Sequence, residues 1–206
     1  MEPINRKNHW ENIYQTKKLS DVSWYQPIPE TSLTFFKQFE VPKHAKIIDV
    51  GGGDSFLVDH LLDLGYQNIT VLDISETAIK RAKNRLGDQA EMVTWITEDV
   101  STFTSTQKYD LWHDRAAFHF LTNQSDISNY VEIASRSLHP DGILILGTFS
   151  ETGPKKCSGI EIKQYSKEGL VETFDSFFTC IECVNIDHKT PFDTIQNFTF
   201  CSFRKR

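Results

Sequence analysis

The sequence predicts an α/β protein built on a parallel sheet, and three observations carry that expectation. Short apolar runs alternate with segments of helical periodicity from residue 46 to residue 149, the pattern of parallel strands joined by helices. The first of those runs ends in three consecutive glycines and leads into an amphipathic segment. The last two apolar runs, 177–186 and 194–203, have no helix between them and read as an antiparallel hairpin at the sheet edge. With 206 residues the chain can bury a core without a disulfide or metal staple, so residues 1–206 are expected to form one domain.

The first 40 residues do not join this rhythm. They hold Trp10, Tyr14, Trp24, Tyr25, Phe35, Phe36 and Phe39; residues 30–39 look helical, and 9–28 reads as an aromatic flap. Residues 46–50 (KIIDV) are the first strand. Leu57, Val58, Leu61, Leu62 and Leu64 then repeat at helical spacing, with Gly65 placed as a stop. Residues 69–73 (ITVLD) are the second strand, and Ser75 is positioned to cap a helix whose apolar side is Ala78, Ile79, Ala82 and Leu86. Strands follow at 92–96 and 109–113, then a helix marked by Ile127, Tyr130, Val131, Ala134 and Leu138 and stopped by Pro140. Residues 143–149 (ILILGTF) form the most apolar run, suited to a strand buried on both faces. After a loop at 151–159, Ser166 opens a last helix through Leu170, Val171 and Phe174.

Composition narrows the function. Twenty-two Lys and Arg against 28 Asp and Glu give a net charge of −6, which disfavours a nucleic-acid binder with its basic face. No apolar run is long enough to span a bilayer, and the start, MEPINRKNHW, has no apolar signal region, so a cytoplasmic location is expected. In such a compartment the four cysteines, at 157, 180, 183 and 201, are expected to be reduced thiols. Cys180 and Cys183 fall three apart in a strand, on opposite faces, so no metal site is expected.

The sharpest signal is Ile47-Ile48-Asp49-Val50-Gly51-Gly52-Gly53-Asp54-Ser55. Glycine permits positive φ and close approach of a ligand to the backbone, and the following helix start offers free N–H groups. Asp73 follows Gly51 by 22 residues at the end of the next strand, where dinucleotide-type folds place an acid on ribose hydroxyls. The spacing is not the G-x-G-x-x-G of a pyrophosphate site, and the phosphate loop of an ATPase is missing. A cofactor with one adenosine and no pyrophosphate fits best.

At these residues the chain resembles the class I S-adenosylmethionine-dependent methyltransferases. The resemblance rests on Asp49-x-Gly51-x-Gly53, the acid ending the second strand, and Glu98-Asp99 after the third. Tyr109-Asp110 opening the fourth and Leu138-His139-Pro140-Asp141-Gly142 before the fifth complete it. It covers roughly residues 44–150 and the terminal hairpin, with Ser55 standing where a third glycine is common. It implies a three-layer Rossmann-like sheet of seven strands in the order 3-2-1-4-5-7-6, with strand seven antiparallel. It also implies that Asp49, Gly51, Gly52 and Gly53 hold the methionine part of the cofactor. Asp73, with Ile74 beside it, would take the ribose; Asp99 and Val100 would lie at the adenine; Trp112, His113 and Asp114 would face the methyl group. Residues 1–40 would be the lid or pre-core segment, with Tyr14 and Trp24 the expected contacts; the alternative is that these rings only pack a sheet edge.

Methyl transfer from a sulfonium is an in-line displacement that needs positioning, dryness and sometimes a proton acceptor. His113 or Asp114 could accept that proton, and Arg115 could bind a substrate carboxylate or pair with Asp114. His119, among phenylalanines, reads as a packed core residue, and Cys157 as a loop residue. The expected reaction is methyl transfer from S-adenosylmethionine to an oxygen, nitrogen or sulfur of a small molecule, by a monomer or homodimer without nucleic acid or membrane. The alternatives are a protein lysine methyltransferase, for which Asp114-Arg115-Ala116 is suggestive, and a non-catalytic adenosine-cofactor-binding protein.

Overall fold

A computed structural model describes residues 5–206. In chain order the elements are α1 (Arg6–Thr16), α2 (Glu30–Gln38), β1 (Lys46–Val50), α3 (Leu57–Asp63), β2 (Asn68–Asp73), α4 (Glu76–Leu86), β3 (Val93–Thr97), β4 (Tyr109–Arg115), α5 (Gln124–Ser137), β5 (Leu138–Phe149), β6 (Lys156–Cys157), β7 (Ile160–Glu161), α6 (Lys167–Phe174), β8 (Phe178–Lys189) and β9 (Ile195–Lys205). The helix starts follow from short polar side chains: Ser75 Oγ accepts from Ala78 N, Asn123 Oδ1 from Asp126 N, and Ser166 Oγ from Gly169 N. Gly65 and Gly87 end α3 and α4 at φ +85° and +57°, angles that a side chain would resist.

The main sheet has seven strands in the order β3-β2-β1-β4-β5-β9-β8. The first five are parallel, and β9 runs antiparallel between β5 and β8. This is the order anticipated from the resemblance, with β9 as its seventh strand and β8 as its sixth. Side-chain alternation splits the core in two. Ile47, Leu111 and Ile145 face α2 and α3, packing with Phe36 and Leu61, whereas Ile48, Trp112 and Leu144 face α5 and α6, packing with Tyr130 and Phe174. Strand order reverses between β1 and β4, which opens a crevice beyond their carboxyl ends.

Four sequence expectations need correction. The flap at 9–28 contains part of a true helix, α1, whose caps and tertiary anchors outweigh its weak apolar periodicity. The loop at 151–159 contains one arm of the small β6–β7 hairpin. Cys183 and Cys201 are not free thiols: they stand directly opposite one another on β8 and β9 and form a disulfide, leaving Cys157 and Cys180 reduced. Nor do Cys180 and Cys183 lie on opposite faces. The register slips between Cys180 and Glu182, and this bulge brings the two sulfurs within 3.7 Å. No metal-binding cluster of His, Cys, Asp and Glu occurs among the described residues.

Candidate active site

The glycine turn sits between two carboxylates. A Cβ on Gly52 would strike the Asp49 carboxylate, and one on Gly53 would strike that of Asp73 and come within 2.9 Å of Ala78 Cβ. Gly51 has φ +68°, and a Cβ there would meet Ala117 Cβ at 2.7 Å. Its N–H is held by Leu72 O at 2.7 Å, so the turn is locked to β2. The three glycines therefore leave a bare backbone ridge flanked by Asp49 and Asp73, both buried.

Each acid is fixed differently. His113 Nδ1 donates to Asp49 Oδ1 at 2.7 Å, and His113 Nε2 lies 2.8 Å from Ser32 Oγ on α2. Asp49 Oδ2 is buried without a partner, an orphan acceptor beside the turn. Asp73 Oδ1 accepts from Ser75 N at 2.8 Å, and its side chain lines the larger cavity. Burial pushes the Asp73 carboxyl up to about 7 against the pull of the Ser75 N–H, with the negative charges of Asp49, Glu11 and Asp54 adding to the rise. Asp99 lies below its ordinary value: hydrogen bonds from Ser101 and the Arg6 guanidinium outweigh its burial.

Two cavities share the walls formed by Tyr14, Trp24, Gly51 and Arg115. The larger spans about 850 Å³, part of it open to solvent. Asp73, Ile74, Asp99 and Val100 line it on the β2–β3 side, and Phe120, Phe149 and Phe198 on the β5–β9 side. The smaller, about 540 Å³, reaches Asp49, Gly52, Ser55 and His113. Both are roofed by α1 and the segment after it. Trp10 meets Trp24 and Phe120 edge-on, with ring centroids 5.7 and 4.8 Å apart. Three ties hold α1 down. Arg6 donates to Asp99 at 2.9 Å and to Asp126 at 2.5 Å; Glu11 accepts from Glu76 N at 2.6 Å at the start of α4; Arg81 donates to the carbonyls of Tyr14 and Lys17 at 3.0 and 2.9 Å.

Most of the expected site residues meet here, with two corrections. Trp112 lies in the core on the α5 side, its Nε1 donating to Tyr130 Oη at 2.9 Å, because its register partners Ile48 and Leu144 share that face. Asp114, two residues on, points the same way. Its carboxylate accepts from Ala117 N, Phe118 N and Tyr130 Oη, so it braces the turn after β4 and lines neither cavity. Burial pushes it up to about 6, opposed by those bonds. His113 points the other way and lines the smaller cavity, with both ring nitrogens engaged. Arg115 reaches both cavities: Nη1 donates to Trp24 O at 3.1 Å, whereas Nη2 is buried without a partner. It does not pair with Asp114. Sequence reasoning missed Arg6, Ser32 and Glu11, which carry no motif, and Phe198, which alternation along the last strand could have placed on the inner face.

Residues 48–144 match the family profile described as a methyltransferase domain. A 94-residue stretch, 46% of this chain, is 32% identical to the eEF1A lysine and N-terminal methyltransferase of Mus musculus, and covers 13% of that protein. A 106-residue stretch, 51% of this chain, is 28% identical to malonyl-[acyl-carrier protein] O-methyltransferase 2 of Ilyobacter polytropus, and covers 39% of it. The N-methyltransferase NodS of Bradyrhizobium japonicum, solved with S-adenosyl-L-homocysteine, superposes with a TM-score of 0.72 over 98% of this chain and 99% of that one, at 14% identity. The chain thus spans well under half the length of these sequence relatives. Its core has the fold of the class I S-adenosylmethionine-dependent methyltransferases. Residues 48–144, just under half of the chain, are the part similar to a methyltransferase domain, and the lid and terminal hairpin lie outside that match.

S-adenosylmethionine, the cofactor of that class, fits the residues present. The bare glycine ridge admits a ligand backbone-close, the orphan Asp49 Oδ2 suits its ammonium, and the buried Asp73 carboxylate suits ribose hydroxyls. Among the described residues no helix is long and apolar enough to cross a membrane.

Proposed function

We propose that this protein moves a methyl group from S-adenosylmethionine to a small-molecule nucleophile. One observation carries the reading: two adjacent cavities with shared walls, flanked by Asp49 and Asp73 at the glycine ridge, include a ring-lined chamber beneath the lid. The cofactor supplies an electrophilic methyl on a sulfonium. Asp49 and the ridge would take its amino-acid end, Asp73 its ribose, and Val100 with Ile74 its adenine. Trp10, Tyr14 and Trp24 would close over it, excluding water and placing π-faces near the positive sulfur. Asp114 acts as a positioning residue, fixing the turn that carries Ala117 and Phe118, and His113 positions Asp49. Since neither presents a free nitrogen or oxygen to the ring-lined chamber, catalysis rests on orientation and desolvation, with the acceptor entering in reactive form.

The test is methyl transfer from methyl-labelled cofactor into a lysate separated by size. Label in the low-mass fraction is expected. Label confined to protein would instead support the second reading, a protein lysine methyltransferase, which the similarity to the Mus musculus enzyme favours.

A further inference from the structure

The β5–β9 end of the larger cavity has one charged side chain, Arg115, and it is unmatched. The guanidinium is held against Trp24 O by Nη1 and lies 5.1 Å over the Phe198 ring, while Nη2 is buried with no acceptor. No carboxylate lies within ion-pair distance of it among the described residues. The acids that line this cavity, Asp73, Glu98 and Asp99, all belong to the β2–β3 side. Asp49, whose charge does reach Arg115, is bonded to His113. Cys157, also on this wall, is a buried thiol pushed up to about 11, hence neutral. Burial pulls Arg115 down to about 10, so it stays cationic near pH 7 with its desolvation only partly offset.

We infer that the methyl acceptor is an apolar or aromatic anion, a carboxylate or a similarly charged oxygen or sulfur acid, whose charge is neutralised by Arg115 while its body lies among Phe120, Phe149 and Phe198. A guanidinium offers a flat two-pronged donor that suits a carboxylate, and an unpaired buried cation repels an ammonium. The same geometry therefore selects against lysine-like acceptors. This inference rests on the methyltransferase reading of the cavity. One other carboxylate could reach Arg115, that of the cofactor's own amino-acid end, because Arg115 also touches the smaller cavity. Phe198 lines only the larger cavity, so the guanidinium stacked on it lies toward the ring-lined chamber.

The experiment measures binding of phenylacetate, phenylacetamide and phenethylamine by calorimetry or ligand-observed magnetic resonance, with and without saturating S-adenosylhomocysteine. The expected result is a preference for the carboxylate of about tenfold or more over both analogues, the scale of a charged hydrogen bond. Arg115→Gln should abolish that preference and Arg115→Lys retain part of it, with S-adenosylhomocysteine affinity changed by less than about threefold. Equal binding of amine and carboxylate to the unaltered protein overturns the inference. So does a loss of S-adenosylhomocysteine affinity in Arg115→Gln that is not seen with its decarboxylated analogue, because the carboxylate would then be the cofactor's. Failure of the unaltered protein to bind S-adenosylhomocysteine at all would count against the methyltransferase reading, while the probe preference without it still decides the charge selectivity.

Discussion

At the residue scale Asp73 carries the most chemistry. It is buried, tied only to Ser75 N, and faces the cavity, so the ribose hydroxyls assigned to it would donate two hydrogen bonds to a charged acceptor. Asp73→Ala is expected to weaken S-adenosylhomocysteine binding by roughly 1.5–3 kcal/mol, measured by calorimetry, and an unchanged affinity in the folded variant would remove it from the site. Its carboxyl sits near 7 before a ligand arrives, so the bound form must lose a proton. Affinity should therefore rise as pH increases from about 6 to 8, and Asp73→Asn should flatten that rise. The stability of the free protein runs the opposite way. A folded-state value raised above the unfolded one favours the native state fully below the ordinary Asp range, and that contribution is lost as pH climbs to about 7. Asp114, raised to about 6, adds to the same decline. The residue types were legible in the sequence, but the side-chain direction of Trp112 and Asp114 was not. That direction depends on the register of β4 against β1 and β5, which no local pattern fixes.

The elements place these residues. The turn after β1 exists because three glycines pass between two carboxylates, and Gly53 is pressed by both Asp73 and Ala78. Gly53→Ala is expected to cost about 1–3 kcal/mol in denaturant unfolding, through overpacking against Asp73 and Ala78 at φ +20°, and to weaken cofactor binding as well. The lid is a second device of the same scale. Residues 9–28 showed the sequence only as a run of rings; that they begin in a helix follows from Arg6, Glu11 and Arg81, which bind partners from 64 to 120 positions away. Trp24 bridges the roof and both cavities, so Trp24→Ala should raise the cofactor dissociation constant roughly tenfold, on the scale of truncating a buried aromatic contact. An unaltered constant would mean that the ring packs the lid and touches no ligand.

For the whole molecule, the cavity lies where strand order reverses between β1 and β4, so its walls come from both halves of the sheet and from the lid. A ligand that joins those parts should stabilise all of them together. At about 100 times its dissociation constant S-adenosylhomocysteine contributes about 2.7 kcal/mol, which for a chain of this size raises Tm by roughly 5–10 °C. A thermal melt that does not move under those conditions would argue that the cavity does not take this nucleoside. The disulfide at the far edge belongs to the same scale, since Cys183 and Cys201 meet only because β8 and β9 are paired in register.

The sequence by itself determined the alternation of strands and helices from β1 to β5, the glycine ridge and the acid that follows it, because each rests on local periodicity, capping and backbone freedom. The tertiary structure decided which faces those strands present, how the lid is tied, that Cys180 and Cys183 share a side, and that Arg115 stands charged without a carboxylate partner in a wall of rings. Those outcomes depend on pairing register and on contacts between residues distant in the chain, where the energy resides in the fit between elements and not in any one of them.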